Sequence, residues 1–139
     1  MKLKTIFPVI TTDKVAESRD FYIEHLGFTP VFEQDWYVHL SNGVFQLGIM
    51  APNHSSQPEL FQSAYPGKGL ILSFETDDVQ AEYEKFKAKG LQLDLELQQE
   101  PWGEIHFALR DPSGVAVNIT QQVEATEEYK ADYVGANSI

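Results

Sequence analysis

The sequence predicts an α+β fold assembled from two copies of one module, each running strand, helix and then three strands (βαβββ). Three observations predict it. The pattern recurs with a period of about 60 residues, longer than solenoid periods. Each half opens on a short β-type run followed by an apolar stripe at helical spacing. Each half ends on two β-rich runs joined by a turn, Ser41-Asn42-Gly43 in the first and Asp111-Pro112-Ser113-Gly114 in the second.

In the first half, residues 6–10 form the opening strand, and Asp13 is placed to cap the helix that follows. Val15, Arg19, Tyr22 and Leu26 recur at helical spacing beside Phe21, and Gly27 fits a helix C-terminus. Strands follow at 29–34, 36–40 and 44–50. In the second half, 69–75 is a strand, and Asp77 with Gln80 makes a capping-box pattern. Val79, Tyr83 and Phe86 form an apolar stripe, while Glu82, Glu84, Lys85, Lys87 and Lys89 face water. Gly90 ends that helix, and strands follow at 91–98, 104–109 and 115–121. Each module then makes a curved sheet with one face on its helix and a concave face left over, where small-molecule pockets form.

At 139 residues and 42% hydrophobic content, the chain reads as one domain over 1–122. Module 1 spans about 5–52, a polar linker with Pro58 and Pro66 spans 53–68, and module 2 spans about 69–122. The segment 123–139 is a polar, acidic tail whose aromatics are Tyr129 and Tyr133; it either docks as a short helix or stays mobile. No apolar run is long enough to cross a bilayer, and the N-terminus does not read as a signal peptide. With no cysteine, disulfides, thiolate catalysis and Cys-based zinc sites are excluded, and the cytoplasm is the expected compartment. A net charge of −11 argues against nucleic acid as a partner. Its simplest reading is solubility and suppressed self-association; the functional alternative is attraction of a cationic ligand.

The chemistry-bearing residues are few. There is no nucleophile elbow and no phosphate-binding glycine loop. His39 and His106 lie on predicted strands, whereas His25 and His54 receive no role. Glu104 and His106 share a strand face, which fits a general acid–base pair and, more simply, a solvated carboxylate beside a lining histidine. Trp36 and Trp102 sit among polar neighbours, in Gln34-Asp35-Trp36 and Glu100-Pro101-Trp102-Gly103, unlike core tryptophans. They fit a pocket mouth, or alternatively a subunit interface, where Trp is also enriched.

These residues carry a resemblance. Gln99-Glu100-Pro101-Trp102-Gly103 followed by Phe107-Ala108-Leu109-Arg110-Asp111-Pro112-Ser113-Gly114 resembles a segment of bleomycin-resistance proteins. So does Pro8-Val9-Ile10-Thr11 followed by Phe21-Tyr22 and Leu26-Gly27-Phe28. The likeness runs from about Ile6 to Gln121 and points to the glyoxalase/bleomycin resistance/dioxygenase (vicinal oxygen chelate) superfamily. It implies paired βαβββ modules and a homodimer with pockets near the interface, in which the first strand, carrying Pro8, can be exchanged between subunits. A proline there must sit at an edge or bend. The chain departs from well-marked resistance proteins around the linker and in its longer tail.

The superfamily's enzymes hold a divalent metal on the first and last strands of each module. Aligned from the repeat, those positions here are Phe7, Gln46, Leu70 and Asn118. Phe7 and Leu70 cannot ligate, so neither a metal nor any other cofactor is expected. The resemblance makes Trp36 and Trp102 the aromatic walls around a flat ligand. Val38, His39, Gln46, Gly48, Met50, His106 and Asn118 join them as expected lining residues, and Val44, Ala116 and Thr120 fall on the same faces. Arg110 and Asp111 serve structure. The expected function is metal-free binding and sequestration of a small planar compound, neutral or cationic, without catalysis. The alternatives are a glyoxalase- or dioxygenase-type enzyme and a scaffold dimer with a vestigial pocket.

Overall fold

The computed structural model describes residues 1–43 and 45–135. The chain runs β1 (Val9–Thr11), α1 (Val15–Leu26), β2 (Thr29–Glu33), β3 (Tyr37–Asn42), β4 (Phe45–Met50), a 3-10 turn (Glu59–Phe61), β5 (Ile71–Glu75), α2 (Val79–Ala88), β6 (Leu95–Glu100), β7 (Glu104–Arg110), β8 (Ala116–Gln122) and α3 (Glu127–Lys130). Two four-stranded sheets result, ordered β1-β4-β3-β2 and β5-β8-β7-β6. The first strand of each pairs parallel to the last, and the other pairings are antiparallel. The α+β architecture of two βαβββ modules is therefore present. The chain forms two compact units: 1–68 with Asp111–Gly114, and 69–110 with 115–139. Among the described residues, no helix is long and apolar enough to cross a membrane.

Period-two alternation on each sheet decides what is buried. In the first unit, Ile10, Val38, Leu40, Leu47 and Ile49 are buried and form a core with Val15, Phe21 and Tyr22 of α1. In the second unit, Phe107, Leu109, Val117 and Ile119 are buried along with Val79 and Phe86 of α2. The Phe86 and Phe107 rings meet edge to face at 5.2 Å.

Element ends differ from the sequence expectation for local reasons. The first strand begins at Val9 instead of residue 6, because Pro8 has no N–H to donate to the ladder. Only its carbonyl is used, accepting from Gly48 N–H at 2.9 Å. Asp13 does not cap α1; Thr12 Oγ1 instead accepts from Lys14 N–H at 3.1 Å. At α2 the cap is Asp78, not Asp77, with Oδ1 accepting from Ala81 N–H at 3.1 Å, so the proposed box with Gln80 is out of register. Gly27 closes α1 as expected, at φ 70°, its N–H reaching Tyr22 C=O. The described part of the tail, 123–135, takes its docked alternative, with α3 in it. Val44 lies outside the described residues.

The first unit is pinned by a buried polar contact. Tyr22 is 0% exposed and Asp111 4% exposed. The Tyr22 hydroxyl donates to Asp111 Oδ2 at 2.6 Å, and Asp111 Oδ1 accepts from Ser113 N–H at 2.8 Å. Burial, reinforced by the Asp111 charge, pushes the Tyr22 hydroxyl far above its ordinary pKa, so it stays a donor. Tyr22→Phe removes that donor while keeping the ring. It is expected to cost roughly 1–3 kcal/mol, read as a lower urea midpoint at unchanged denaturant slope.

Candidate ligand site

In the first unit the face turned away from α1 carries Val9 and Thr11 of β1, Tyr37 and His39 of β3, and Gln46, Gly48 and Met50 of β4. A cavity of about 510 Å³ opens there. Sheet residues Val9, Thr11, Tyr37 and Met50 line it together with Trp36, and Gln57, Leu60, Phe61 and Ser63 of the linker complete the wall. Most of that lining is apolar, with hydroxyl and amide groups at a few points, as small-molecule pockets commonly are. The Trp36 indole stacks on the His54 imidazole at 4.0 Å with planes 14° apart.

Gly48 is required where it stands. A Cβ on it would fall 2.6 Å from Tyr37 Oη and 3.0 Å from Val9 Cγ2. The bare backbone lets Tyr37 lie across the strand, where burial raises the hydroxyl's pKa. That hydroxyl bonds His39 Nδ1 at 2.7 Å, and His39 Nε2 bonds Gln46 Oε1 at 2.7 Å. With the Gln46 oxygen accepting, Nε2 carries a proton and Nδ1 accepts from Tyr37. Phe7 packs edge-on against His39 at 4.7 Å.

The second unit carries a charged network on the corresponding face. His106 Nε2 donates to Glu100 Oε2 at 2.8 Å and Nδ1 to Asn118 Oδ1 at 2.8 Å, with Glu104 Oε2 3.5 Å from Nδ1. Both ring nitrogens face acceptors, which only the imidazolium satisfies. Burial works against that charge, but the hydrogen bonds to Glu100 and Asn118 and the two carboxylates outweigh it and raise the His106 pKa. Burial likewise opposes ionisation of Glu104. Hydrogen bonds from Thr120 Oγ1 (2.7 Å), Trp102 Nε1 (2.8 Å) and Asn118 Nδ2 (3.2 Å), with the His106 charge, more than offset it and lower the pKa. Glu100 is lowered chiefly by its bond to His106. Trp102 remains 41% exposed.

Of the residues expected to line a ligand, Trp36 and Met50 line the cavity, and His39, Gln46 and Gly48 lie on the same sheet face beside it. His106 and Asn118 meet in the second unit, where Trp102 joins their network through Glu104. Val38 is a correction: it is 1% exposed in the helix-facing core, because consecutive strand residues point to opposite faces and His39 takes the other one. Sequence reasoning missed the linker wall, although Leu60-Phe61 was an apolar pair inside a polar stretch. It also missed Glu100, which reaches His106 only through the cross-strand register Gln98↔His106 and Glu100↔Glu104.

The strand register shows which of the four aligned metal positions match between the two modules. Val15 follows Thr11 at the same spacing as Val79 follows Glu75, which makes Val9 and Ser73 equivalent. Val9 pairs with Gly48 and Ser73 with Asn118. By the same spacing Phe7 matches Ile71, one residue after Leu70, and Gly48, not Gln46, matches Asn118. Phe7, Ile71 and Gly48 bring no side-chain donor, and Asn118 is committed to His106, Ser73 and Glu104. Such a neutral, largely apolar set does not fit a divalent cation. Among the described residues no other group of three or more His, Asp or Glu could hold one.

The architecture has solved counterparts. A lactoylglutathione lyase from Agrobacterium tumefaciens superposes with TM-score 0.71 at 21% identity, over 87% of this chain and 96% of that one. A glyoxalase/bleomycin resistance protein/dioxygenase from Nocardioides gives 0.72 at 17% identity, over 89% and 87%. TioX from Micromonospora gives 0.69 at 17%, over 87% and 100%. At such identities the likeness is one of fold. Comparison with curated protein sequences found no match. The family profile described as Glyoxalase/Bleomycin resistance protein/Dioxygenase superfamily matches residues 5–119. The chain belongs to that superfamily.

Proposed function

We propose that this protein binds and sequesters a small planar organic compound, neutral or cationic, without a metal and without turning it over, in the manner of bleomycin-resistance proteins. The observation that carries the reading is the cavity of about 510 Å³, walled by Trp36, Tyr37, Met50, Leu60 and Phe61. Its volume suits a drug-sized molecule, and its aromatic wall suits stacking. The donor chemistry supports binding over turnover. His39 and His106 each have both ring nitrogens engaged by neighbouring side chains, as groups that orient a lining do. The net charge of −11 and the ionised Glu104 below Trp102 Nε1–H favour a cationic partner.

The proposal includes a homodimer, with exchange of the first strand at Pro8. Leu3 at 77% exposed and Ile6 at 89% leave apolar surface that a second copy would cover.

Three outcomes are expected. Fluorescence titration with bleomycin and with ethidium should quench tryptophan emission. Trp36→Ala and Trp102→Ala should each weaken binding about threefold to tenfold, one aromatic contact apiece. No quenching by either compound would remove the sequestration reading. Light scattering should give a dimer mass, and Ile6→Lys should shift it toward monomer. Finally, because the His106 pKa is raised on folding, its contribution is complete below about pH 6.5 and is lost as pH rises through the folded-state value. Thermal midpoints followed upward from about pH 6.5 should fall in the native protein, and His106→Gln should flatten that slope.

A further inference from the structure

The tail lies beyond the family match. The superfamily profile stops at residue 119, yet the chain continues in described structure to residue 135. Its contacts converge on one loop, Pro101-Trp102-Gly103. Pro101 C=O accepts from Thr126 N–H at 2.9 Å and from Thr126 Oγ1 at 3.2 Å. Trp102 C=O accepts from the Tyr133 hydroxyl. Gly103 C=O accepts from Val123 N–H at 2.9 Å. Three consecutive carbonyls of the loop are thus all bonded to the tail.

Side chains complete the arrangement. The Tyr129 ring meets the Trp102 indole edge-on, with centroids 6.2 Å apart and planes at 74°. Lys130 holds α3 in place by pairing with Glu124 at 2.6 Å and Glu127 at 3.0 Å. Gly103 makes the close approach possible. At φ +104° a side chain would be strained, and a Cβ there would fall 2.7 Å from Val123 C=O. Across the ring, Trp102 Nε1–H is fixed on Glu104 at 2.8 Å. The indole is therefore held at its nitrogen by the sheet, at the backbone of its loop by four tail donors on three carbonyls, and at one edge by Tyr129.

We infer that segment 123–135 is a clamp on the Trp102 loop, in which Tyr129 and Tyr133 are positioning residues for the Trp102 ring. A loop tryptophan left unclamped would lose rotamer freedom on stacking against a ligand; a held ring has already lost it, and affinity rises accordingly. The clamp stands on geometry alone, whereas its effect on affinity rests on the reading of Trp102 as a ligand contact.

The test uses the full-length chain. In a Trp36→Phe background Trp102 is the sole tryptophan, so the long-wavelength tryptophan band of the near-UV circular dichroism and acrylamide quenching of tryptophan emission report on it alone. Tyr129→Ala and Tyr133→Phe should each weaken the Trp102 dichroism band and increase quenching, and Tyr129→Phe, which keeps the ring, should restore both. Tyr133→Phe deletes a single oxygen and keeps the test available if Tyr129→Ala does not fold. Unchanged bands in both variants would overturn the clamp. With Trp36 present, ethidium affinity should fall about threefold to tenfold in Tyr129→Ala, the size of one aromatic contact. A weakened band with unchanged ethidium affinity would uphold the clamp and instead remove Trp102 from the binding reading.

Discussion

A four-stranded sheet covered by one helix has one face to bury and one to spare. Alternation along each strand assigns every side chain to one or the other, without intermediate choices. In β3 it sends Val38 and Leu40 into the core and leaves Tyr37 and His39 outside it; in β4 it buries Leu47 and Ile49 against α1 and gives Gln46, Gly48 and Met50 to the opposite face. In β7 and β8 it buries Phe107, Leu109, Val117 and Ile119 and gives Glu104, His106, Asn118 and Thr120 to the spare face. Everything that can bind a ligand on these sheets is what the cores did not take.

The two modules then spend the same geometry differently. By strand register Tyr37 corresponds to His106, Met50 to Thr120, and Gly48 to Asn118. In the first unit a glycine beneath a tyrosine leaves room for an apolar cavity. In the second, an amide at the same place binds the histidine, and the space fills with a hydrogen-bonded ion network. A duplicated backbone therefore does not imply duplicated chemistry.

This division also explains what could be read in advance. The repeat, the helices and the alternation are local patterns, so the βαβββ order and the shared face of Gln46, Gly48 and Met50 were legible from residues alone. Val38 shares its parity with Trp36, but β3 begins only at Tyr37, so the strand turns Val38 to the core while Trp36 stands outside the alternation. Leu70 and Gln46 fall out of step with their counterparts Phe7 and Asn118 because pairing register is a non-local quantity: Val9 pairs with Gly48 through inter-strand bonds that no run of sequence encodes. The linker wall was hidden for a related reason. Leu60 and Phe61 carry no periodicity, and the cavity they help enclose exists only once the chain has folded over β1 and β4.

The His106 network has a consequence for charge. An imidazolium between two carboxylates leaves the trio with one net negative charge, and all of its strong donors are spent internally. Such a fully satisfied group is rigid, and its members polarise one another. Glu104 is the member that also accepts from the indole of Trp102. A carboxylate held ionised against the Nε1–H of a partly exposed tryptophan makes that ring's surroundings negative, and the negative ring face adds to the same field. His106 thus shapes the surface through the carboxylate it holds rather than through any proton it could give.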